Sequence, residues 1–281
     1  MTAELLRPFD FEFFRNGLIV ATLAGALCGL VGVYVVLKGM SYIGHGLSHA
    51  IFGGFAASTL LGINFLLGAG AWGVASALMI NGVTRRRVLG SDAAIGVITT
   101  ASFALGLALF AFFHGEGGSF DAALFGSILG VRGQDVVAIA VVCVLAGALV
   151  FLRYRALLFT TFDPEVAEVS GVNTARMDAL LMLVLAGSIL ATMKILGVTL
   201  IAAALVIPPA VARMLTTSFS RMLWLSTAIG AACGFVGMNL SYHLDVQSGP
   251  SIVLVAATLF GLVFMATGPL GLRRIRSERA T

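Results

Sequence analysis

Two histidines four residues apart, His45 and His49, stand at the start of an apolar stretch in a chain with only four histidines in 281 residues. Side chains at i and i+4 share one helix face, so both imidazoles can reach a single metal ion. The chemistry available to the pair is reversible coordination of a divalent transition metal by neutral ring nitrogens. An ionisable side chain is costly inside lipid, so a histidine within a membrane span is a functional candidate by default.

The elements that must position this pair are set by composition. Hydrophobic residues make up 59% of the chain and charged ones 11%, against roughly 45–50% and 25% in soluble domains. The expected class is an all-α, polytopic helical membrane protein. Apolar runs long enough to span a bilayer fall at 17–38, 42–62, 65–83, 91–113, 136–152, 178–196, 198–214, 222–244 and 249–268. About nine transmembrane helices are therefore expected, with eight to ten compatible with the short junctions. The apolar stretch from Phe120 to Val131 is too short to cross and reads as a short re-entrant or surface segment. A tail over 1–16, one transmembrane domain over 17–272 and a basic tail over 273–281 complete the organisation.

Nine spans with the C-terminus inside place 13 of the 17 Lys and Arg residues on the cytoplasmic side, among them Lys38, Arg85 to Arg87, Arg153, Arg155 and the arginines after Leu272. Arg7, Arg15, Arg132 and Lys194 fall outside. This asymmetry sets the orientation: N-terminal tail extracytoplasmic, C-terminus cytoplasmic. The basic pI near 9.3 is thereby explained by membrane topology and calls for no nucleic acid. Cys28, Cys143 and Cys233 lie within apolar runs without metal-type spacing and read as buried thiols.

The longest polar stretch on the expected cytoplasmic side is Thr160 to Asn173. Asp163 suits an N-cap, Pro164 the first helical position, Glu165 and Glu168 the positive end of the dipole, and Gly171 the C-terminal turn. A short amphipathic helix outside the bilayer is expected there. Pro208-Pro209, following an apolar run, is expected to break or kink its helix.

Five collinear segments carry a resemblance: Gly39 to Ala50, Ser91 to Gly96, Asp163 to Val172, Leu196 to Ala210 and Leu240 to Val253. In order along nearly the whole chain, they resemble permease subunits of the metal-type ABC importers that carry zinc, manganese or iron. The resemblance implies a homodimer in the cell membrane of a prokaryote. Each copy would sit on a cytoplasmic ATP-binding subunit, and an extracytoplasmic metal-binding protein would deliver the cargo. The metal is then substrate, and no permanently bound cofactor is implied. Asp163, Pro164, Glu165, Glu168 and Gly171 would belong to the coupling helix, about 163–172, that docks on the ATPase. The sequence contains no G-x-x-x-x-G-K-[ST] phosphate loop, so the chain is expected to be no enzyme, with ATP hydrolysis left to a partner.

One residue departs from the pattern. The family usually has aspartate four residues before the histidine of the early motif, where this chain has His45. Two imidazoles favour zinc, iron or later first-row ions over manganese. His243 with Asp245, near the outer end of a span, and His114 with Glu116 and Asp121, in an outer loop, would form a metal entrance, dock the delivery protein, or be ordinary polar loop residues. The H-x-x-x-H spacing is also that of the H-E-x-x-H protease helix, but Gly46 replaces the general-base glutamate. A secondary transporter or channel for metal ions, and an ABC permease for a metal chelate, are the remaining alternatives.

Overall fold

The computed structural model describes residues 7–85, 91–112, 124–127 and 129–278. Arg86, Arg87, His114, Glu116, Asp121 and Arg279 lie outside them. Among the described residues the chain is helical throughout, without strands. After a single 3-10 turn at Arg7–Asp10 come α1 (Glu12–Leu37), α2 (Ser41–Leu60), α3 (Phe65–Arg85), α4 (Ser91–Phe112) and α5 (Gly133–Leu152). Two short helices follow, α6 (Tyr154–Phe162) and α7 (Pro164–Val169), then α8 (Thr174–Leu196), α9 (Ile201–Leu215), α10 (Phe219–Leu244) and α11 (Ser248–Glu278).

Among the described residues, each of the nine apolar runs read from the sequence overlaps one of the helices α1 to α5 and α8 to α11. Seven of these, α1, α3, α4, α5, α8, α10 and α11, are long and apolar enough to cross a membrane. The histidines, serines and glycines of α2 dilute its apolar content, and α9, at 15 residues, is shorter than the roughly 20 a span requires. Of the expected re-entrant stretch, the described part is pinned to the α8–α9 junction. Ser127 N–H donates to the Lys194 carbonyl at 2.9 Å, and Thr199 Oγ1 donates to the Leu124 carbonyl at 2.7 Å.

Helix α1 is the central post, with Phe14, Val20, Ala24, Leu27, Val31 and Val35 buried. It packs against α5, α8, α9 and α10, while α2, α3 and α4 form a second group. Small residues set the closest approach. A Cβ on Gly25 would meet the Gly230 carbonyl, and one on Gly29 the Ser226 carbonyl. This spacing of four lets α1 and α10 touch backbone to backbone, the packing favoured in lipid, where helices gain little from hydrophobic exclusion. Ser226 Oγ donates to the Gly29 carbonyl across the seam at 2.6 Å.

Of the break or kink expected at Pro208-Pro209, the break does not occur: α9 runs as one helix from Ile201 to Leu215 with both prolines inside. Pro209 has no N–H for the Leu205 carbonyl, and that carbonyl lies against Gly32 of α1. Neighbouring helices thus accommodate the freed group, as in other membrane helices containing proline.

Candidate metal site

On α2, His45 and His49 are the fifth and ninth residues of the helix. A rise of about 1.5 Å per residue puts them roughly 6 and 12 Å from its start, in the half nearer Lys38. Their ring centroids lie 4.3 Å apart with the planes tilted by 48°, both half-buried. Tyr42 flanks His45 at 5.6 Å, and Phe103 of α4 stands edge-on to His49 at 4.6 Å. The stripe Tyr42, His45, His49, Phe52 is one helix face, and the α4 residues Ile95, Thr99 and Phe103, also one face, run alongside α2.

One hydrogen bond decides the chemistry of His49. Its Nδ1 lies 2.9 Å from the His45 carbonyl, which can only accept, so Nδ1 carries the proton and the neutral ring keeps its Nε2 lone pair free. Orientation of one ring nitrogen by an outer partner is the usual arrangement for a metal-binding histidine. The same carbonyl accepts from Ser48 Oγ at 2.8 Å. Two imidazoles so placed can chelate one divalent ion and leave its other positions open. Among the described residues no cluster of three or more His, Cys, Asp or Glu side chains forms a closed site. His243 and Asp245, exposed beyond Tyr242 at the far end of α10, are not brought into the pair. Asp245 there takes the left-handed conformation, φ 52°.

The Asp163 to Val172 segment folds as its capping residues dictate. Asp163 Oδ1 accepts the Val166 N–H at 2.9 Å, and Pro164 occupies the first turn of α7. At the other end Gly171 is left-handed, φ 81°. Val172 N–H reaches the Ala167 carbonyl at 2.9 Å and Gly171 N–H the Glu168 carbonyl at 3.0 Å, the paired bonds of a Schellman motif. Glu168 accepts from Thr174 Oγ1 at 2.9 Å, fastening α7 to the start of α8. Val166 and Val169 are left exposed.

Two groups went unnoticed in the sequence. Asp178, in the second turn of α8, receives Lys38 Nζ at 2.8 Å and Arg85 at 3.1 Å. The same Lys38 ammonium donates to the Thr160 carbonyl at 3.1 Å. At the opposite end of α8, Lys194 pairs with Asp135 at 2.6 Å. A carboxylate at the border of an apolar run was the only signal of Asp178 in the sequence.

Residues 10–267 match the ABC 3 transport family. The chain is similar to the manganese transport system membrane protein MntC of Listeria monocytogenes, at 34% identity over 263 residues covering 94% of both chains. It is also 34% identical, over 256 residues, to a Haemophilus influenzae membrane protein named for iron transport, covering 91% of this chain and 94% of that one. Among solved structures it resembles PsaBC from Streptococcus pneumoniae in complex with Fab, with a TM-score of 0.84, 34% identity, and 94% of this chain and 95% of the other covered. The chain is a membrane protein that belongs to the ABC 3 transport family.

Proposed function

We propose that this chain is the permease subunit of an ATP-driven importer of a divalent transition metal, and that His45 and His49 hold the ion in transit. The observation that carries this reading is the free Nε2 of His49 beside the adjacent ring of His45. Relatives named for manganese and for iron transport support the substrate class. The second imidazole, in place of the aspartate usual at this position, tilts preference toward zinc or iron. A two-imidazole site fits transport, because the ion must also leave.

The Lys/Arg asymmetry supports nine spans with Lys38, Arg85, α7 and the C-terminus in the cytoplasm. In that orientation the exposed Val166 and Val169 of α7 face the ATP-binding subunit as a coupling helix. Two copies of the chain, each on its own ATPase, complete the importer, and a metal-binding protein delivers ions to the outer face near His243 and Asp245. The test is uptake in proteoliposomes holding permease and ATPase. His49→Ala abolishes ATP-dependent metal accumulation while assembly persists; wild-type uptake in that variant refutes the site.

A further inference from the structure

We propose that Asp178 is the cytoplasmic gate residue of the permease, latched shut by Lys38 and Arg85 and joined through Lys38 to the coupling helix. The inference rests on reading the chain as a permease with this end in the cytoplasm. Three elements meet at one carboxylate: Lys38 follows α1, Arg85 ends α3, and Asp178 belongs to α8. Lys38 is also the mechanical junction. It bonds the Thr160 carbonyl, three residues before the α7 cap Asp163, and only Gly39 and Met40 separate it from Ser41, where the helix bearing His45 and His49 begins. A displacement of α7 by the ATPase therefore pulls on the same ammonium that holds Asp178.

The latch borders a cavity of about 270 Å³ lined by Ile43 of α2, Asn81, Ile95 of α4, Thr161 and Pro164. Ile95 begins the α4 face that continues through Thr99 to Phe103 beside His49, so the cavity and the histidine pair share one seam. Two cations on one carboxylate leave a net positive charge there, which repels a divalent ion. Lys38 is 12% exposed, Asp178 26% and Arg85 37%, so the Lys38–Asp178 pair is screened less than one at an open surface, and Arg85 closes the latch from its solvent side. With the latch parted, Asp178 becomes an oxygen ligand beside the Asn81 amide and the Thr161 hydroxyl. Such a hard, sparse set suits transient acceptance of the ion from the imidazoles.

The test uses the assembled importer in proteoliposomes, reading manganese and zinc influx with a trapped fluorescent chelator alongside ATP turnover. Lys38→Arg preserves the pair and is expected to keep influx coupled to ATP. Lys38→Met and Asp178→Asn are expected to raise ATP turnover several-fold in the absence of delivery protein and to admit metal without ATP. In the Lys38→Cys, Asp178→Cys double variant, a short bis-thiol reagent is expected to reduce influx to background, with recovery on reduction. Metal binding by the complex, which reports on His45 and His49, is expected to be unchanged by that cross-link. Coupled, wild-type influx in Asp178→Asn, or in the cross-linked double variant, overturns the latch. Metal binding that survives His49→Ala overturns the histidine reading instead, and leaves the cross-link result to judge the latch.

Discussion

His49 donates its Nδ1 proton to the backbone carbonyl of His45 at 2.9 Å, so the residue that shares the proposed site also sets its partner's tautomer. The nitrogen left free is the one available to a metal ion, and a proton competes for it. Metal occupancy is therefore expected to fall on acidification, as protons displace the ion from the imidazole nitrogens. Equilibrium binding of zinc by the purified complex at stepped pH checks this. Occupancy that stays flat from neutral to acidic pH contradicts imidazole ligation.

Gly171 sits at φ 81° with nothing within 4 Å of an added Cβ. The penalty for a β-branched residue there is conformational, roughly 1–2 kcal/mol, with no steric clash to unfold the bundle. Gly171→Val is expected to misdirect the end of α7, so that ATP is hydrolysed with little metal uptake while metal affinity stays unchanged. The ratio of metal moved to ATP consumed is the measurement; a wild-type ratio in a fully assembled complex contradicts the coupling role.

At the α1–α10 seam, a Cβ on Gly230 would run into the Gly25 carbonyl. Backbone cannot yield as a flexible side chain does, so Gly230→Val is expected to lose at least about 1–3 kcal/mol through overpacking. Ser226→Ala removes one interhelical hydrogen bond and is expected to lose about 0.6 kcal/mol. Thermal unfolding in detergent ranks the two, and equal midpoints refute the close-approach argument.

Leu61, in the turn after α2, is 72% exposed, and Val169, at the end of α7, is 91% exposed. In a background with Cys28, Cys143 and Cys233 replaced, a membrane-impermeant thiol reagent on intact cells is expected to label Leu61→Cys and spare Val169→Cys. The reverse pattern inverts the topology.

The features legible in the sequence are those carried by local rules. Helical periodicity alone puts His45 and His49 on one face, and the capping chemistry of Asp163, Pro164 and Gly171 writes out α7 and its termination. What stayed hidden depends on distant chain. Asp178 meets Lys38 across 140 positions and Arg85 across 93, and no local pattern reports such a pairing. At Pro208-Pro209 the dipeptide alone does not tell a break from a continuous helix, because what decides it is distant: the freed Leu205 carbonyl finds its place against Gly32 of another helix. Phe103, which braces His49, is one of three phenylalanines in the apolar α4 and becomes distinctive only when α4 packs on α2.

The most direct measurement is metal-dependent uptake by paired histidine variants of the assembled importer, with manganese, zinc and iron compared in one assay. His49→Ala is expected to abolish uptake of all three, and His45→Asp to transport with preference shifted toward manganese, because a carboxylate oxygen tolerates that harder ion better than imidazole does. Wild-type uptake in His49→Ala contradicts the site itself, and an unchanged metal profile in His45→Asp contradicts the selectivity assigned to His45.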